Sequence, residues 1–216
     1  EPPEPPPPPL PIGALDIEQL MRSLAAVRPL FHSEADFQHS LAWIIRETYP
    51  GARIRLETRP RRSMHLDLDV TIDGCRIAIE LKYFVKATDI VIDGEAYEMP
   101  GQAAQDINRY DLIKDIWRIE QLVADGLVGE GWSIALTNDP AYWRPGTKVT
   151  PIDVEFRIHE GSVLSGARSW HENAGMGTMK GRSASLVLTR EHVCRWRPYE
   201  SGHEYLALRW VAFHTL

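Results

Sequence analysis

MHLDLDVTIDGCRIAIELKY, residues Met64–Tyr83, consists of two alternating runs joined at Asp73-Gly74. In the first run Leu66, Leu68, Val70 and Ile72 fall on one face, and His65, Asp67, Asp69 and Thr71 on the other. In the second, Ile77, Ile79 and Leu81 alternate with Arg76, Ala78, Glu80 and Lys82. Strict period two predicts two strands, Met64–Ile72 and Cys75–Tyr83, each with one apolar face. Asp-Gly between such runs predicts a two-residue hairpin turn, because both central residues must adopt positive φ. That turn opposes Ile72 with Cys75, and therefore Asp69 with Ala78, Asp67 with Glu80 and His65 with Lys82. Opposed residues have Cβ atoms ~5 Å apart and point to the same side. Asp67, Asp69, Glu80 and Lys82 are thus expected on one face of the sheet.

Carboxylates held this close raise one another's pKa, and a bound cation relieves the repulsion. Hard oxygen ligands suit Mg²⁺ or Mn²⁺, ions that also bind phosphate. A lysine on the same face can orient or deprotonate a water, or stabilise charge on a phosphorane. The same pattern also fits a solvated polar face with Lys82 as counter-ion. The register makes Asp67 the direct neighbour of Glu80 and leaves Asp69 as the alternative carboxylate.

Outward from the hairpin, Ala52–Arg59 alternates Ile54 and Leu56 with arginines and predicts a third strand. Before it, Ser33 is a good N-cap and Asp36 follows three residues later. Phe37, Leu41, Ile44 and Ile45 continue as an apolar helix face, stopped by Pro50-Gly51. Leu15–Val27 predicts a further short helix. After the hairpin, Gln102–Asp125 carries Leu112, Ile116, Ile119 and Val123 on one helical stripe, and Trp132–Thr137 is a short apolar strand. Beyond Pro140, strands are expected at Val154–His159, Ser185–Leu188 and Tyr205–Phe213, around a Gly- and Ser-rich loop, Glu160–Ser183. Trp43 and Trp117, on or near apolar helix faces, are expected in the core.

The run Ile77–Tyr83 after Leu66–Val70, in this order of elements, resembles the second and third core strands of the PD-(D/E)xK, or restriction-endonuclease-like, nuclease superfamily. The resemblance covers roughly residues 31–139. It implies an α/β fold with a restriction-endonuclease-like core: helix, three-strand meander, helix and strand, in a mixed central sheet flanked by helices. A mostly β extension, residues 140–216, would pack on that core of residues 15–139. The resemblance also implies a metal-dependent nuclease acting on nucleic acid, DNA above RNA, in defence against foreign DNA. Asp67 would be the first metal-binding carboxylate, Glu80 the second and Lys82 the catalytic lysine, with Glu34 matching the glutamate many members carry on the helix before the sheet. Gln105, Arg109 and Tyr110 match residues that contact the site or the phosphate in some branches. No Pro-Asp pair precedes the second strand's carboxylates, which departs from the family pattern. A catalytically inactive module of the same fold, binding nucleic acid or a protein, is the alternative expectation.

For substrate contact, Arg59, Arg61 and Arg62 belong to a run of five arginines between residues 53 and 62, and Lys180 and Arg182 sit in the glycine-rich loop. The 216-residue chain has a net charge of −6. The charge is uneven: residues 1–139 hold 14 Lys/Arg against 23 Asp/Glu, and residues 140–216 hold 10 against 7. An acidic total therefore leaves room for a local basic surface. Gly175–Arg182 lacks phosphate-loop spacing, and the histidines never form a His-Glu-x-x-His pair. Two separate cysteines, Cys75 and Cys194, argue against a disulfide scaffold and a cysteine zinc site. A reducing, cytoplasmic setting is expected, with no membrane partner. Glu1–Pro11 is nearly all proline and predicts a polyproline II linker or tail, residues 1–14. Further domains could be fused before it, and a homo-oligomer or a larger defence-type assembly fits the resemblance.

Overall fold

A computed structural model describes residues 14–102, 104–147 and 151–216. The proline-rich stretch up to residue 13 lies outside the described residues. Helices α1 (Ile17–Val27) and α2 (Glu34–Thr48) precede the meander β1 (Arg53–Arg61), β2 (Met64–Ile72) and β3 (Cys75–Phe84). A hairpin of β4 (Thr88–Ile92) and β5 (Glu95–Met99), the long helix α3 (Gln105–Ala124) and β6 (Glu130–Thr137) follow. Then come β7 (Val163–Arg168), the single turn α4 (Met176–Met179), β8 (Leu186–Val193), β9 (Arg197–Pro198) and β10 (Arg209–Thr215).

Local chemistry sets most of these boundaries. Asp16 accepts from the Gln19 N–H at the start of α1, and Ser33 Oγ accepts from the Asp36 N–H at the start of α2. Asp73 and Gly74 adopt φ values of 48° and 85°, the mirror-image turn that joins β2 to β3. The resulting register pairs Ile72 with Cys75, Val70 with Ile77, Asp69 with Ala78 and Leu68 with Ile79, as the turn requires. Asp93-Gly94 repeats this turn in the β4–β5 hairpin. The Asp-Gly signal was present there too, between Ile92 and Glu95.

The central sheet is mixed, in the order β1-β2-β3-β6-β10-β9. Its β3–β6 pair is parallel, and α3 makes the crossover that a parallel connection needs. Ile77, Ile79, Leu81 and Tyr83 pack against α1 and α2 on one face. Ala78 packs beneath Ile119 and Leu122 of α3 on the other. Ala78 stands beside Gly131 of β6, and a Cβ on Gly131 would collide with Ile119 Cγ2. Two small residues thus let α3 lie close over β3 and β6. The architecture is α/β, with helices on both faces and a β-rich C-terminus.

Several expectations need correction. The residues after 139 are not simply packed on the core, because β9 and β10 lie within the central sheet. Val154–Phe156 is a 3₁₀ turn rather than part of a strand, and Tyr205 belongs to another, Glu204–Leu206, ahead of β10. The stretch 160–183 contains β7 and α4 as well as loop. Trp117 is partly buried against the core, whereas Trp43 is 68% exposed. Its position on α2 is opposite the buried Phe37, Leu41, Ile44 and Ile45.

Candidate active site

β3 is flanked by β2 on one edge and β6 on the other, but the β2–β3 register ends at Leu68 and Ile79. β2 then follows β1 away, with Thr58 opposite Leu66 and Arg61 opposite Met64. Glu57, facing this bend on β1, has a φ of 52°. Met64 and Leu66 consequently pack with Ile119 and Leu122 on the α3 side, while Leu68 and Val70 pack on the α1/α2 side. The uniform alternation expected from Leu66 to Ile72 therefore reverses across Asp67. The expected pairings of Asp67 with Glu80 and of His65 with Lys82 do not form, because the ladder ends one pair short of them. Instead the His65 carbonyl accepts from Arg118 of α3.

The parting of the strands leaves backbone donors on β3 without ladder acceptors, and carboxylates take their place. Asp67 Oδ2 accepts from the Leu81 N–H at 2.6 Å, and Glu34 Oε2 accepts from the Tyr83 N–H at 2.9 Å. Glu34 arrives from the first turn of α2. Gln38, one turn later, donates to the Asp67 carbonyl at 2.7 Å and to Glu57 at 2.9 Å, which holds the bend against α2.

Glu80 and Lys82 face α3. Lys82 Nζ lies 2.7 Å from Asp115 Oδ2. Arg118 Nη1 lies 3.0 Å from Glu80 Oε1 and 3.1 Å from Asp115 Oδ1. Glu80 is only 2% exposed. Its Oε1 is near Arg118 yet has no aligned hydrogen-bond donor among the described residues. Glu34, Asp67, Glu80 and Asp115 thus share one region with Lys82 and Arg118, four acids against two bases.

Burial is the largest influence on the acids, and it disfavours their charged forms. It raises Glu34 above the ordinary value, against the opposing pull of Lys82 and the Tyr83 N–H. It raises Asp67 in the same way, against the Leu81 N–H and Lys82. Glu80 is pushed up to about 9 by burial, then by Asp115 and Asp67, with Arg118 and Lys82 only partly compensating. Burial works against the Lys82 ammonium too, but Asp115, Glu34 and Asp67 outweigh it and lift its pKa above the ordinary value. At neutral pH the excess of negative charge is therefore reduced by a proton on Glu80, while Lys82 stays charged.

A divalent cation would relieve the same excess. Glu34, Asp67 and Glu80 offer the hard oxygen donors that Mg²⁺ or Mn²⁺ takes, with Glu80 Oε1 facing Arg118 Nη1 at 3.0 Å. Their chemistry fits such an ion. Among the described residues, no three His, Cys, Asp or Glu side chains already form a ready-made cage. The hydrogen bonds of Glu34 and Asp67 to β3, and the Arg118 contact of Glu80, hold these side chains on other partners.

The other expected site residues are distributed unevenly. Asp69 faces Arg76 at 2.6 Å and accepts from Thr58, so its charge is balanced away from the cluster. Arg109 is 4% exposed and is bound to Asp153 at 2.6 Å and to the Ala141 carbonyl. Tyr110 donates to the Ala184 carbonyl and stacks on Trp170, and Gln105 donates to Asp139. These three join α3 to Asp139, Ala141, Asp153, Trp170 and Ala184 rather than to the acidic cluster. Arg182 makes a two-pronged contact with Asp111, one turn before Asp115, while Lys180 is exposed. Arg61 pairs with Asp125. Arg59 and Arg62 are exposed, with no ion-pair partner among the described residues.

Asp115 and Arg118 are the participants that sequence reasoning missed. Their i,i+3 spacing beside the apolar stripe of α3 resembles any solvated helix pair. Only the close crossing of α3 over Ala78 and Gly131 brings them to Glu80 and Lys82. Among the described residues no helix is long and apolar enough to cross a membrane. Compared with protein-family models, with curated proteins and with solved structures, the chain matches none of them.

Proposed function

We propose that this chain is a divalent-metal-dependent nuclease of PD-(D/E)xK type, hydrolysing phosphodiester bonds of nucleic acid, with DNA as the first substrate to test. The observation that carries this reading is the buried cluster at the point where β2 leaves β3: Glu80, 2% exposed, beside Asp67, Glu34 and Asp115, with Lys82 and Arg118 the only bases acting on it among the described residues. Carboxylates crowded in a buried site repel one another, and a bound cation relieves that repulsion. Glu34, Asp67 and Glu80 would hold Mg²⁺ or Mn²⁺. When bound, such an ion polarises a phosphoryl oxygen and acidifies a water.

The protein's own groups do the rest. Lys82 keeps its proton, which suits it to stabilise charge developing on the phosphate and not to act as the base. Asp115 positions the Lys82 ammonium, and Arg118 positions Glu80. A catalytically silent module of the same fold is the second reading. The internal pairing of Lys82 with Asp115 and Glu80 with Arg118 favours it, since both catalytic charges already have partners.

The test is incubation with plasmid, linear duplex, single-stranded DNA and RNA, in Mg²⁺, Mn²⁺ or EDTA. Cleavage is expected with either metal and not in EDTA, and Glu80→Ala and Lys82→Ala should each abolish it. Mg²⁺ or Mn²⁺ should also raise the melting temperature of the wild type and not of Glu80→Ala. Cleavage that survives Glu80→Ala, or that proceeds in EDTA, would overturn the assignment. No cleavage of any substrate would favour the silent module.

A further inference from the structure

We propose that Ser133 is a positioning residue for the acidic site: its hydroxyl donates to the Glu80 carboxylate when that carboxylate takes a divalent cation. This rests on the metal-dependent reading of the cluster and adds to it a group from β6. Ser133 stands beside Glu80 in the parallel β3–β6 ladder, on neighbouring strands ~4.8 Å apart. Both side chains lie on the α3 face of the sheet. Trp132 and Ile134, on either side of Ser133 in sequence, pack on the α1/α2 face, and strand alternation turns Ser133 the other way. Glu80 faces Arg118 of α3. On its other flank Ser133 is opposite Phe213 of β10, a member of the apolar cluster under α3.

The hydroxyl has no partner. Ser133 is 1% exposed, and its Oγ makes no hydrogen bond among the described residues. Burying a hydroxyl unpaired costs stability, and an exception to pairing calls for a reason. Packing does not supply one. Gly131, Ser133, Ala135 and Thr137 form the row of β6 that faces α3, where small residues let the helix lie close. Alanine serves in this row two residues on, at Ala135 beside Lys82. Thr137, the other hydroxyl of the row, is used: its Oγ1 accepts from the Asp139 N–H at 3.0 Å. Ser133 differs from Thr137 in having an acid, Glu80, as its neighbour across the ladder.

Glu80 needs such a donor once its lone pairs are shared with a cation. A carboxylate that binds metal is normally held by an outer hydrogen bond, which fixes its orientation and tunes the affinity. As it stands, Glu80 Oε1 faces Arg118 Nη1 at 3.0 Å, and Arg118 is shared with Asp115 at 3.1 Å. Lys82 is engaged with Asp115 at 2.7 Å. On the β6 side Phe213 offers no donor, which leaves the Ser133 hydroxyl. A turn about its χ1 aims the hydroxyl along the ladder at Glu80.

The experiment follows melting temperature and initial cleavage rate against Mg²⁺ concentration for wild type, Ser133→Ala and Ser133→Cys. Alanine removes the hydroxyl, and cysteine fills its place with only a weak donor. Without metal, Ser133→Ala should melt at or above wild type, because no hydrogen bond is lost. Both variants should need about tenfold more Mg²⁺ for half of the maximal rise in melting temperature. At saturating Mg²⁺ the cleavage rate should return to near wild type, since Ser133 acts through Glu80 and not on the substrate. A role in packing alone gives the reverse: Ser133→Ala melts lower without metal, Ser133→Cys restores it, and the Mg²⁺ requirement stays the same. That result would overturn the proposal. The two readings fail separately. A wild-type response to Mg²⁺ that depends on Glu80 and not on Ser133 would keep the metal site and sink the role of Ser133. No response of the wild type to Mg²⁺, in melting or in cleavage, would sink both.

Discussion

Glu80 and Glu120 are equally buried, each 2% exposed, and both sit at the packing surface of α3, yet their surroundings differ. Glu120 accepts from the backbone and hydroxyl of Thr189 at 2.7 and 2.9 Å and from the Arg190 N–H at 3.1 Å, with His192 Nε2 at 2.8 Å. Burial alone would raise its pKa, but these donors outweigh burial and hold it below the ordinary value. Glu80 has a nearby guanidinium, two neighbouring acids and no aligned donor among the described residues, and it is pushed up to about 9. Glu120 is a structural carboxylate that ties β8 to α3. As an ion-pair partner among the described residues, Glu80 has only the Arg118 guanidinium, at 3.0 Å, against two neighbouring acids. Equal burial therefore says little about role; the inventory of donors separates the two.

The largest test exchanges both residues for glutamine. Glu80→Gln should cut metal-dependent cleavage by about a hundredfold or more while leaving the melting temperature equal or higher. Glu120→Gln should cost about 1–3 kcal/mol of stability, because it disturbs a satisfied network, and leave cleavage by the folded enzyme near wild type. Measuring both quantities on both variants breaks the comparison if the effects are exchanged.

The pH dependence of stability should carry opposite signs. Glu80 has a folded pKa of about 9 against an ordinary 4.5, so its protonated form is favoured by the fold. Its contribution is full below pH 4.5 and lost as pH rises through about 9. Metal-free Glu80→Gln should therefore gain on wild type across this window, by at most about 1.4 kcal/mol per pH unit. Glu120 is depressed, so its contribution is present above its ordinary 4.5 and lost as pH falls through the lower folded value. The deficit of Glu120→Gln should close in acid. Thermal melts from pH 3 to 9 (~) check both signs, and a Glu80→Gln gap that stays flat would contradict the raised pKa.

The same distinction sharpens the choice between aspartates. Asp69 is balanced by Arg76, whereas Asp67 is held only on a backbone N–H and faces the acidic cluster. Asp67→Asn should remove most cleavage. Asp69→Asn should cost at most about 1 kcal/mol of stability and keep most activity. Comparable losses of activity in the two variants would count against Asp67 as the metal-binding partner of Glu80.

The smallest effects are expected among the arginines. Arg61 is paired with Asp125, while Arg59 and Arg62 are exposed. Arg59→Gln and Arg62→Gln should each lower the salt slope of DNA binding by about 1, with less change for Arg61→Gln. Equal slopes for all three would show that ion pairing within the protein does not decide which of them meets phosphate.

The sequence by itself determined the parts that depend on near neighbours. Asp73-Gly74 demanded positive φ, which fixed the hairpin register as far as Leu68 and Ile79, one pair short of Asp67 and Glu80. Ser33 marked the start of α2, and with it the place of Glu34. Asp93-Gly94 carried the same information for the second hairpin. Only the tertiary structure decided what depends on chain segments far apart. The departure of β2 from β3 after Leu68 turned Asp67 and Glu34 onto the Leu81 and Tyr83 amides, a consequence of β2 following β1 and packing Met64 and Leu66 under α3. The approach of α3 over Ala78 and Gly131 added Asp115 and Arg118 to Glu80 and Lys82. Asp153, Ala141 and Tyr142 buried Arg109, and Phe156, Trp170 and Ala184 buried Tyr110, two residues that by helical period alone look like a solvated edge. Trp43 shows the converse: its apolar character predicts burial, but its angular position on α2 places it outside, because only one face of that helix meets the sheet.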